Sequence, residues 1–403
     1  MAATVTQAVS EVTDLYVDHI STIPANAGDK VKLFVREHKA TSHGGGPRRP
    51  VLMLHGRSVA GVAAFDLPGK NKRYSWAAQL AKAGHDVYVM ELQGSGLSTR
   101  PKMDDHRNVS PAEAQRRLLV PNPNPEIYTG PVEYGKQLNN SQSDWDEVGA
   151  VVDFVLARAG VTKLDLIGYS AGAQQLGPYA IQNHGKVRSL FLAAPIFPPN
   201  GRKSKAGTDF GAPVPLPVST PEGAFAYPMT VGTKGGLETS WLRDLKCPGQ
   251  REPEMLDEAW KAMMAADPIG ATWGGAVLGS PEGLNRIRNS YWWGWNSTTV
   301  QLHKVLGEKV PVCIVYGEHD SIINTSPDLG LTYFSTPELY RKIPGTKKLM
   351  FRISCAGHQL LWEHQAKTVH TMSEHWLKHG KVEGATSGSY DRDADGALTL
   401  LEE

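Results

Sequence analysis

The sequence lacks any apolar run long enough to cross a membrane, and its charges almost cancel, leaving a formal net charge of +1. A nearly neutral chain has no general electrostatic attraction for nucleic acid or for an anionic membrane surface, so neither is an expected partner. The first residues also lack the basic start and apolar core of a secretory signal. The expected location is therefore the cytoplasm.

Cysteine is scarce in this chain. Only Cys247, Cys313 and Cys355 are present, widely spaced, and three cysteines cannot all pair with one another. In a chain without an export signal, the simplest expectation is that all three are reduced thiols. Cys355 lies close to His358 in the sequence and could mimic a Cys–His catalytic pair, but a buried structural thiol is the favoured interpretation.

The remaining composition is that of an ordinary globular enzyme, with 40% hydrophobic and 21% charged residues among 403. Short apolar strands alternate with helical patterns through most of the chain. This alternation predicts an α/β fold with a mostly parallel sheet and helices on both faces. The alternation is interrupted at residues 199–306, which hold six of the ten tryptophans and are expected to form an inserted cap or lid.

The chain is organised around the motif Gly168-Tyr-Ser-Ala-Gly172, which lies between a predicted strand at residues 164–167 and a predicted helix at 171–183. In the pattern G-x-S-x-G, a serine between strand and helix sits on a sharp turn with its hydroxyl exposed at the top of a sheet. The flanking glycines let the strand and the helix pass closely. Ser170 is therefore a candidate nucleophile, and an ordinary turn serine is the alternative.

A serine hydroxyl is a poor nucleophile near neutral pH unless a base takes its proton and a further group orients that base. Asp320 ends the motif Gly317-Glu-His-Asp320 after one predicted strand, and His358 follows the next strand behind a glycine. The order serine, acid, histidine is the one that this architecture requires. Upstream, His55-Gly-Arg57 closes an earlier strand, and its backbone N–H groups could join that of Ala171 in an oxyanion hole.

These motifs make the chain similar to the α/β-hydrolase-fold serine hydrolases, in particular to esterase- or lipase-like members with an inserted cap. The resemblance covers roughly residues 51–378. It implies that Ser170 is the nucleophile, that His358 is the general base and then acid, and that Asp320 is the orienting acid. It also assigns the oxyanion N–H groups to Arg57 and Ala171, and it requires no organic cofactor or catalytic metal.

The resemblance also predicts how the chain is divided. Residues 1–198 and 307–384 are expected to form the two parts of the hydrolase core, 199–306 the cap, and 385–403 a tail. One departure from the family pattern is Glu91, where a structural loop usually begins with aspartate, and little consequence is expected from it.

A cap folded over the nucleophile must line a pocket, and the aromatic content of this cap predicts a large apolar one. The candidate lining residues are Tyr169, Trp273, Trp292 and Trp293. For Tyr169, packing is the favoured role. The side chain of Arg57 has two interpretations: it holds a carboxylate or carbonyl of the substrate, or it points to solvent while only its backbone is used. The second is favoured.

The tail contains a separate pattern. Residues 391–402 match a twelve-residue EF-hand calcium loop, with glycine at the sixth position and an apolar residue at the eighth. The candidate ligands are Asp391, Asp393, Asp395 and Glu402. Because no entering helix is predicted before the loop, any calcium affinity should be weak, and a flexible acidic tail is the favoured interpretation.

The preferred function is hydrolysis of a carboxylic ester or lactone of a bulky hydrophobic or aromatic small molecule. The motifs do not separate this reaction from C–C bond hydrolysis or acyl transfer, because the same triad serves all three. A non-enzymatic small-molecule receptor on the same fold is a further alternative. The sequence does not indicate the oligomeric state of the protein.

Overall fold

The computed structural model describes most of the chain. Within the described residues, no helix combines the length and the apolar character that a bilayer-spanning segment needs. The described ranges are residues 11–43, 48–69, 72–111, 113–119, 134–135, 137–204, 208–212, 227–277 and 280–402.

The largest structural element of the described residues is a ten-stranded sheet. Its strands, numbered along the chain, are β1 Val12–Ile20, β2 Lys30–His38, β3 Val51–Leu54, β4 Val87–Met90, β5 Leu164–Tyr169, β6 Val187–Ala193, β7 Val312–Gly317, β8 Lys348–Ile353, β9 Gly388–Arg392 and β10 Leu398–Glu402. Their spatial order is β1-β2-β4-β3-β5-β6-β7-β8-β9-β10. The pairs β1–β2, β2–β4 and β9–β10 are antiparallel and the others are parallel, so the predicted, mostly parallel sheet is confirmed.

The central strands are buried along their whole length. β3, β5 and β7 contain no exposed residue, and their sequences are nearly continuous apolar runs. Such runs are typical of parallel strands that are covered by helices on both faces. The edge strand β1 instead alternates between exposed and more buried positions, because one of its faces meets solvent.

Several of the helices begin at a local capping signal, a side chain that accepts a backbone N–H of the first turn. The helices are α1 Gly61–Phe65, α2 Trp76–Lys82, α3 Glu113–Arg117, α4 Ser141–Ala159, α5 Gly172–Gln182, α6 Lys234–Leu242, α7 Met255–Ala265, α8 Ser297–His303, α9 Thr336–Lys342 and α10 Ala366–His379. The longest, α4, begins at a capping box between Asn140 and Ser143. It ends at Gly160, whose φ of +67° is favourable for a residue without a Cβ atom.

Residues 199–306 lie between β6 and β7 and contribute α6, α7 and α8. A short antiparallel pair, Met229–Gly232 with Asn285–Arg288, and a parallel pair, Ser290–Tyr291 with Asn139–Asn140, also involve this insertion. The second pair joins the insertion to the start of α4. The insertion is therefore attached to the core at several points, and the exact division of the chain into core, cap and tail stays a prediction.

The tail is an ordered β-hairpin. β9 extends the main sheet beside β8, and β10 folds back on β9. The favoured expectation of a flexible acidic tail was therefore wrong. No local sequence signal indicates this pairing, because helix α10 separates β9 from its partner strand β8 along the chain.

A disulfide bond joins Cys247 and Cys355, which are 108 residues apart in the sequence. The expectation of three reduced thiols, with Cys355 as a buried structural thiol, was wrong. Of the three cysteines, all of which the structure describes, only Cys313 in β7 is free, and it is buried. The bond ties the segment after α6 to the loop after β8, two stretches that no local sequence signal relates.

Replacing both Cys247 and Cys355 with serine is expected to lower the free energy of unfolding by about 2–4 kcal/mol, because the bond restrains a long loop in the unfolded chain. Chemical denaturation of wild type and the double variant measures the change. Thiol counting by mass spectrometry in denaturant provides the control: one cysteine should react with iodoacetamide before reduction, and three after it. Three reactive thiols before reduction would contradict the bond.

Candidate active site

Ser170 occupies a strained turn between β5 and α5. Its φ is +54°, in the left-handed region that residues with a side chain seldom adopt, at a typical cost of about 1–2 kcal/mol. The turn is held from both sides, since the Ser170 N–H donates to the carbonyl of Ala193 and its own carbonyl accepts from the N–H of Ile196. Backbone strain maintained in this way is typical of functional sites.

The glycines around Ser170 are required by close packing. A Cβ atom on Gly172 would lie 2.6 Å from the carbonyl oxygen of Leu54, at the end of β3. A Cβ atom on Gly56 would lie 3.0 Å from the Cβ of Ser170 and 3.5 Å from its Oγ. The loop after β3, which carries residues 55–57, therefore lies directly against the serine.

The structure brings Ser170, His358 and Asp320 together in one hydrogen-bonded chain. Ser170 Oγ lies 3.0 Å from His358 Nε2, and His358 Nδ1 lies 2.8 Å from Asp320 Oδ2. All three side chains are buried. Because a carboxylate only accepts, Nδ1 carries the hydrogen, and Nε2 is left to accept the serine proton.

Backbone hydrogen bonds fix the orientation of the Asp320 carboxylate. Asp320 Oδ1 accepts the N–H groups of Ile322 at 3.0 Å and Ile323 at 3.2 Å, so the other oxygen faces His358. Burial by itself lowers the pKa of His358, but the charge of Asp320 and its hydrogen bond outweigh this effect, and the pKa lies above its ordinary value. The histidine is therefore a stronger base than a buried imidazole without this partner would be.

Two buried carboxylates that sequence reasoning missed support these loops. Asp244, in the insertion, accepts the N–H of His358 at 3.0 Å and the hydroxyl of Ser321 at 2.7 Å. Glu363 accepts the N–H of Gly357 at 2.8 Å, and burial raises the pKa of Glu363 to about 7. Asp244 thus connects the loop that carries His358 to the loop that carries Asp320. No sequence motif around Asp244 predicts this role.

Replacing Asp244 with alanine is expected to lower kcat by up to about 100-fold with little change in KM, because a misplaced base costs rate rather than binding. Asp244→Asn should retain more activity, because its amide can accept from the His358 N–H and donate to Ser321 Oγ. Steady-state kinetics on an aryl ester, with unfolding curves for both variants, would check this. Wild-type kcat in a folded Asp244→Ala protein would contradict the positioning role.

The two predicted oxyanion donors lie at the serine. Gly56 flanks Ser170 directly, and Ala171 is the next residue in the chain. Among the described residues, no protein acceptor takes the backbone N–H of Arg57 or of Ala171. Both N–H groups are thus without a protein acceptor in the described part of the chain, and their role as oxyanion donors stays a prediction.

The serine and the histidine open into a cavity of about 560 Å³, within the size range of small-molecule sites. Both the core and the insertion line it. Its aromatic lining residues are Tyr169, Trp260, Trp292, Trp293, Trp295, Phe334 and Trp362. Three of the four predicted lining residues are thus in place. Tyr169 also has a packing role, since its hydroxyl donates to the His358 carbonyl at 2.9 Å.

Trp273 does not line this cavity. It packs in a second apolar cluster with Met103, Val109 and other residues, and the guanidinium of Arg286 lies 5.2 Å from its ring centroid. The prediction for Trp273 was wrong, because the aromatic content of the insertion does not reveal which tryptophans face the core.

Arg57 lines the same cavity as Ser170, and its Nη2 donates to Asn289 Oδ1 at 2.9 Å. The residue is nevertheless exposed, so the favoured expectation that its side chain points to solvent stays a prediction. Glu91, by contrast, has the expected structural role: its carboxylate is buried and accepts the backbone N–H groups of Val62 and Leu97.

Asp391 and Asp393, two of the four predicted calcium ligands, make other contacts, and the side chain of Glu402 lies outside the described part of the structure. Arg352 binds the carboxylate of Asp391 through Nε and Nη2, at 3.0 and 2.6 Å. Asp393 Oδ1 accepts the N–H groups of Asp395 and Ala397 within the hairpin turn. In the described part of the chain, no group of three or more His, Cys, Asp or Glu side chains is arranged to hold a metal ion.

Comparison with solved structures gives many matches at low sequence identity. A thioesterase domain from the curacin biosynthetic pathway is 14% identical, with a TM-score of 0.45, over 89% of this chain and 98% of that chain. A thermophilic esterase from Thermogutta terrifontis is 15% identical, with a TM-score of 0.44, over 91% and 99%. A serine hydrolase from the bacterium Cycloclasticus zankles is 11% identical, with a TM-score of 0.47, over 91% and 98%.

Likenesses at this level say nothing about the substrate of this chain. No curated protein sequence matches it. The sequence does match the family model of the alpha/beta hydrolase fold over residues 49–365, which is most of its length. The chain therefore belongs to the alpha/beta hydrolase fold family, as its motifs predict.

Proposed function

We propose that this protein is a serine hydrolase that cleaves a carboxylic ester or lactone, with Ser170 as nucleophile, His358 as base and acid, and Asp320 as the orienting acid. The observation that carries the proposal is the hydrogen-bonded chain from Ser170 Oγ through His358 to Asp320, open to a cavity of about 560 Å³. A nucleophile, a base and an orienting group within hydrogen-bond reach are the parts that acyl transfer needs.

In the first half of the proposed reaction, His358 Nε2 takes the hydroxyl proton of Ser170 as Oγ attacks the ester carbonyl. The negative oxygen of the tetrahedral intermediate accepts from the backbone N–H groups of Arg57 and Ala171, each worth about 3 kcal/mol in comparable sites. Protonated His358 then gives its proton to the leaving alkoxide. The products are a free alcohol and an acyl group on Ser170.

In the second half, water replaces the alcohol. His358 takes a proton from the water, whose oxygen attacks the acyl carbonyl, and the same proton returns to Ser170 Oγ as the acid leaves. Asp320 stays ionised and stabilises the imidazolium in both halves. The net reaction is ester plus water to acid plus alcohol, and His358 carries the proton in both halves.

The walls of the cavity favour a bulky apolar or aromatic substrate. Tryptophans and a phenylalanine supply much of the lining, and aromatic side chains bind apolar groups by both area and ring contacts. A small acyl group such as acetyl would leave most of the cavity unfilled. We therefore place the natural substrate among esters or lactones with at least one aromatic or large apolar part.

A panel of purified substrates tests the reaction type. Aryl esters of benzoic and naphthoic acids, short acetates, aromatic lactones and a β-diketone are incubated with the protein, with and without an added alcohol. Hydrolysis of bulky esters or lactones at higher kcat/KM than acetates is the expected result. Cleavage of the diketone alone would point to C–C hydrolysis, and ester product with the added alcohol to acyl transfer.

Two minor predictions remain. Calcium binding by the hairpin would require Asp391 to leave Arg352, so we expect added calcium to raise the unfolding temperature of the protein only slightly.

The cytoplasmic location also stays a prediction, and the Cys247–Cys355 disulfide argues against it, because such bonds are typical of oxidising compartments.

A further inference from the structure

Arg57 lines the cavity that contains Ser170. Its guanidinium is anchored: Nη2 donates to Oδ1 of Asn289, which is fully buried. Asn289 is itself held by hydrogen bonds, from its Nδ2 to the carbonyl of Tyr227 at 2.9 Å and from its N–H to the carbonyl of Pro228 at 2.7 Å. The amide therefore cannot rotate freely, and it fixes one edge of the guanidinium.

Among the described residues, Arg57 differs from the buried Arg286 and Arg288 of this region in lacking a counter-ion. Arg286 pairs with Asp267 at 2.5 Å, and Arg288 lies 3.4 Å from Asp144. Within the described residues, no carboxylate lies within 4 Å of the Arg57 guanidinium, and Asn289 is the only acceptor of its side-chain hydrogen bonds.

Water reaches part of the Arg57 side chain, because the residue is exposed. The protein atoms around the guanidinium nevertheless lower its pKa by desolvation, so the charge is less well solvated than in bulk water. Arginine stays protonated, so an anionic group that enters the cavity meets a cation without a protein counter-ion among the described residues.

We propose that Arg57 binds a carboxylate of the substrate, so that the preferred substrates are aromatic or bulky esters that carry a second, free carboxylate. This inference rests on the proposed hydrolase function and narrows it to one substrate class. A carboxylate matches the planar fork of a guanidinium and supplies the missing charge. A neutral carbonyl would supply one hydrogen bond but leave the charge uncompensated.

The position of Arg57 allows one substrate molecule to meet both groups. Arg57 follows Gly56, which packs against Ser170, and Arg57 and Ser170 line the same cavity. A carboxylate held by Arg57 and an ester carbonyl at Ser170 Oγ can thus belong to one compact molecule. The bound carboxylate would fix which carbonyl meets the serine.

Two pairs of rigid substrates, matched in shape but not in charge, test the proposal. 4-(Butanoyloxy)benzoate and 4-(butanoyloxy)benzamide carry the carboxylate or its neutral amide on the leaving group. Phenyl 4-carboxybenzoate and phenyl 4-carbamoylbenzoate carry it on the acyl group. The measured quantity is the ratio of kcat/KM for acid over amide, because differences in intrinsic reactivity cancel when this ratio is compared between variants.

The variants are Arg57→Met, Arg57→Lys and Arg202→Met. Removing the Arg57 charge should lower the ratio about 10- to 100-fold in at least one substrate pair, the effect of a lost hydrogen-bonded charge partner. Arg57→Lys should keep part of the preference. Arg202, whose guanidinium stacks 4.4 Å from the Tyr291 ring centroid, lines the same cavity, so Arg202→Met controls for a general loss of positive charge.

A ratio that is unchanged in Arg57→Met, or that falls equally in Arg202→Met, overturns the carboxylate site. The proposed hydrolase stands in that case if the amide substrates are still turned over and Ser170 is still labelled by a fluorophosphonate. Absence of both turnover and labelling overturns the hydrolase and this inference with it. Should Arg57→Met fail to fold, competitive inhibition of wild type by 4-hydroxybenzoate about tenfold better than by 4-hydroxybenzamide supports the site, and equal inhibition overturns it.

Discussion

Replacing Ser170 with alanine should reduce ester turnover by about a millionfold, because the acyl-enzyme cannot form and only binding and oxyanion contacts remain. The fold should persist, because alanine keeps the Cβ atom and the backbone hydrogen bonds that hold the turn. The measurement is intact-mass spectrometry after treatment with a fluorophosphonate. Wild type should gain one adduct per chain, and Ser170→Ala none.

The control for this experiment is Ser387→Ala, which removes an exposed serine hydroxyl just before β9. This variant should be labelled at the wild-type rate. Full activity in a folded Ser170→Ala protein would contradict the assignment of Ser170 as the nucleophile. Failure of folded wild type to react would show that the serine is not activated, and a receptor role would then become the better explanation.

Replacing Asp320 with asparagine should lower kcat by about 10⁴-fold while leaving the fold intact. The physical reason lies in the acid loop. Oδ1 accepts two backbone N–H groups and must remain an oxygen, so the amide NH₂ of asparagine takes the place of Oδ2. That NH₂ donates toward His358 Nδ1 and forces the hydrogen onto Nε2. The imidazole then cannot accept the proton of Ser170.

The pH profile separates this effect from simple misfolding. The carboxylate of Asp320 raises the pKa of His358, and the base must be neutral to act. Removing the carboxylate therefore lowers this pKa, and the acidic limb of the kcat/KM profile should move to lower pH in Asp320→Asn. A limb that stays in place, or activity within tenfold of wild type, would contradict the role of Asp320.

The sequence by itself determined the local parts of this protein. The strand–turn–helix around Ser170 is encoded within a few residues, by a short apolar run, small flanking residues and a helical pattern. The same holds for the strands before Asp320 and His358. Because parallel strands of one sheet end at the same edge, the order of these residues along the chain was enough to bring them together.

What the tertiary structure alone decided depends on contacts between distant segments. The Cys247–Cys355 bond, the bridge from Asp244 to the histidine and acid loops, and the hairpin that extends the sheet beside β8 have no local signature. The orientation of Arg57 is also of this kind, since it is set by Asn289 in a different part of the chain. Residue propensities and hydrophobic periodicity depend on neighbours along the sequence. The pairing of side chains across a cavity depends instead on how helices and strands pack against one another, and this packing leaves no periodic pattern in the sequence.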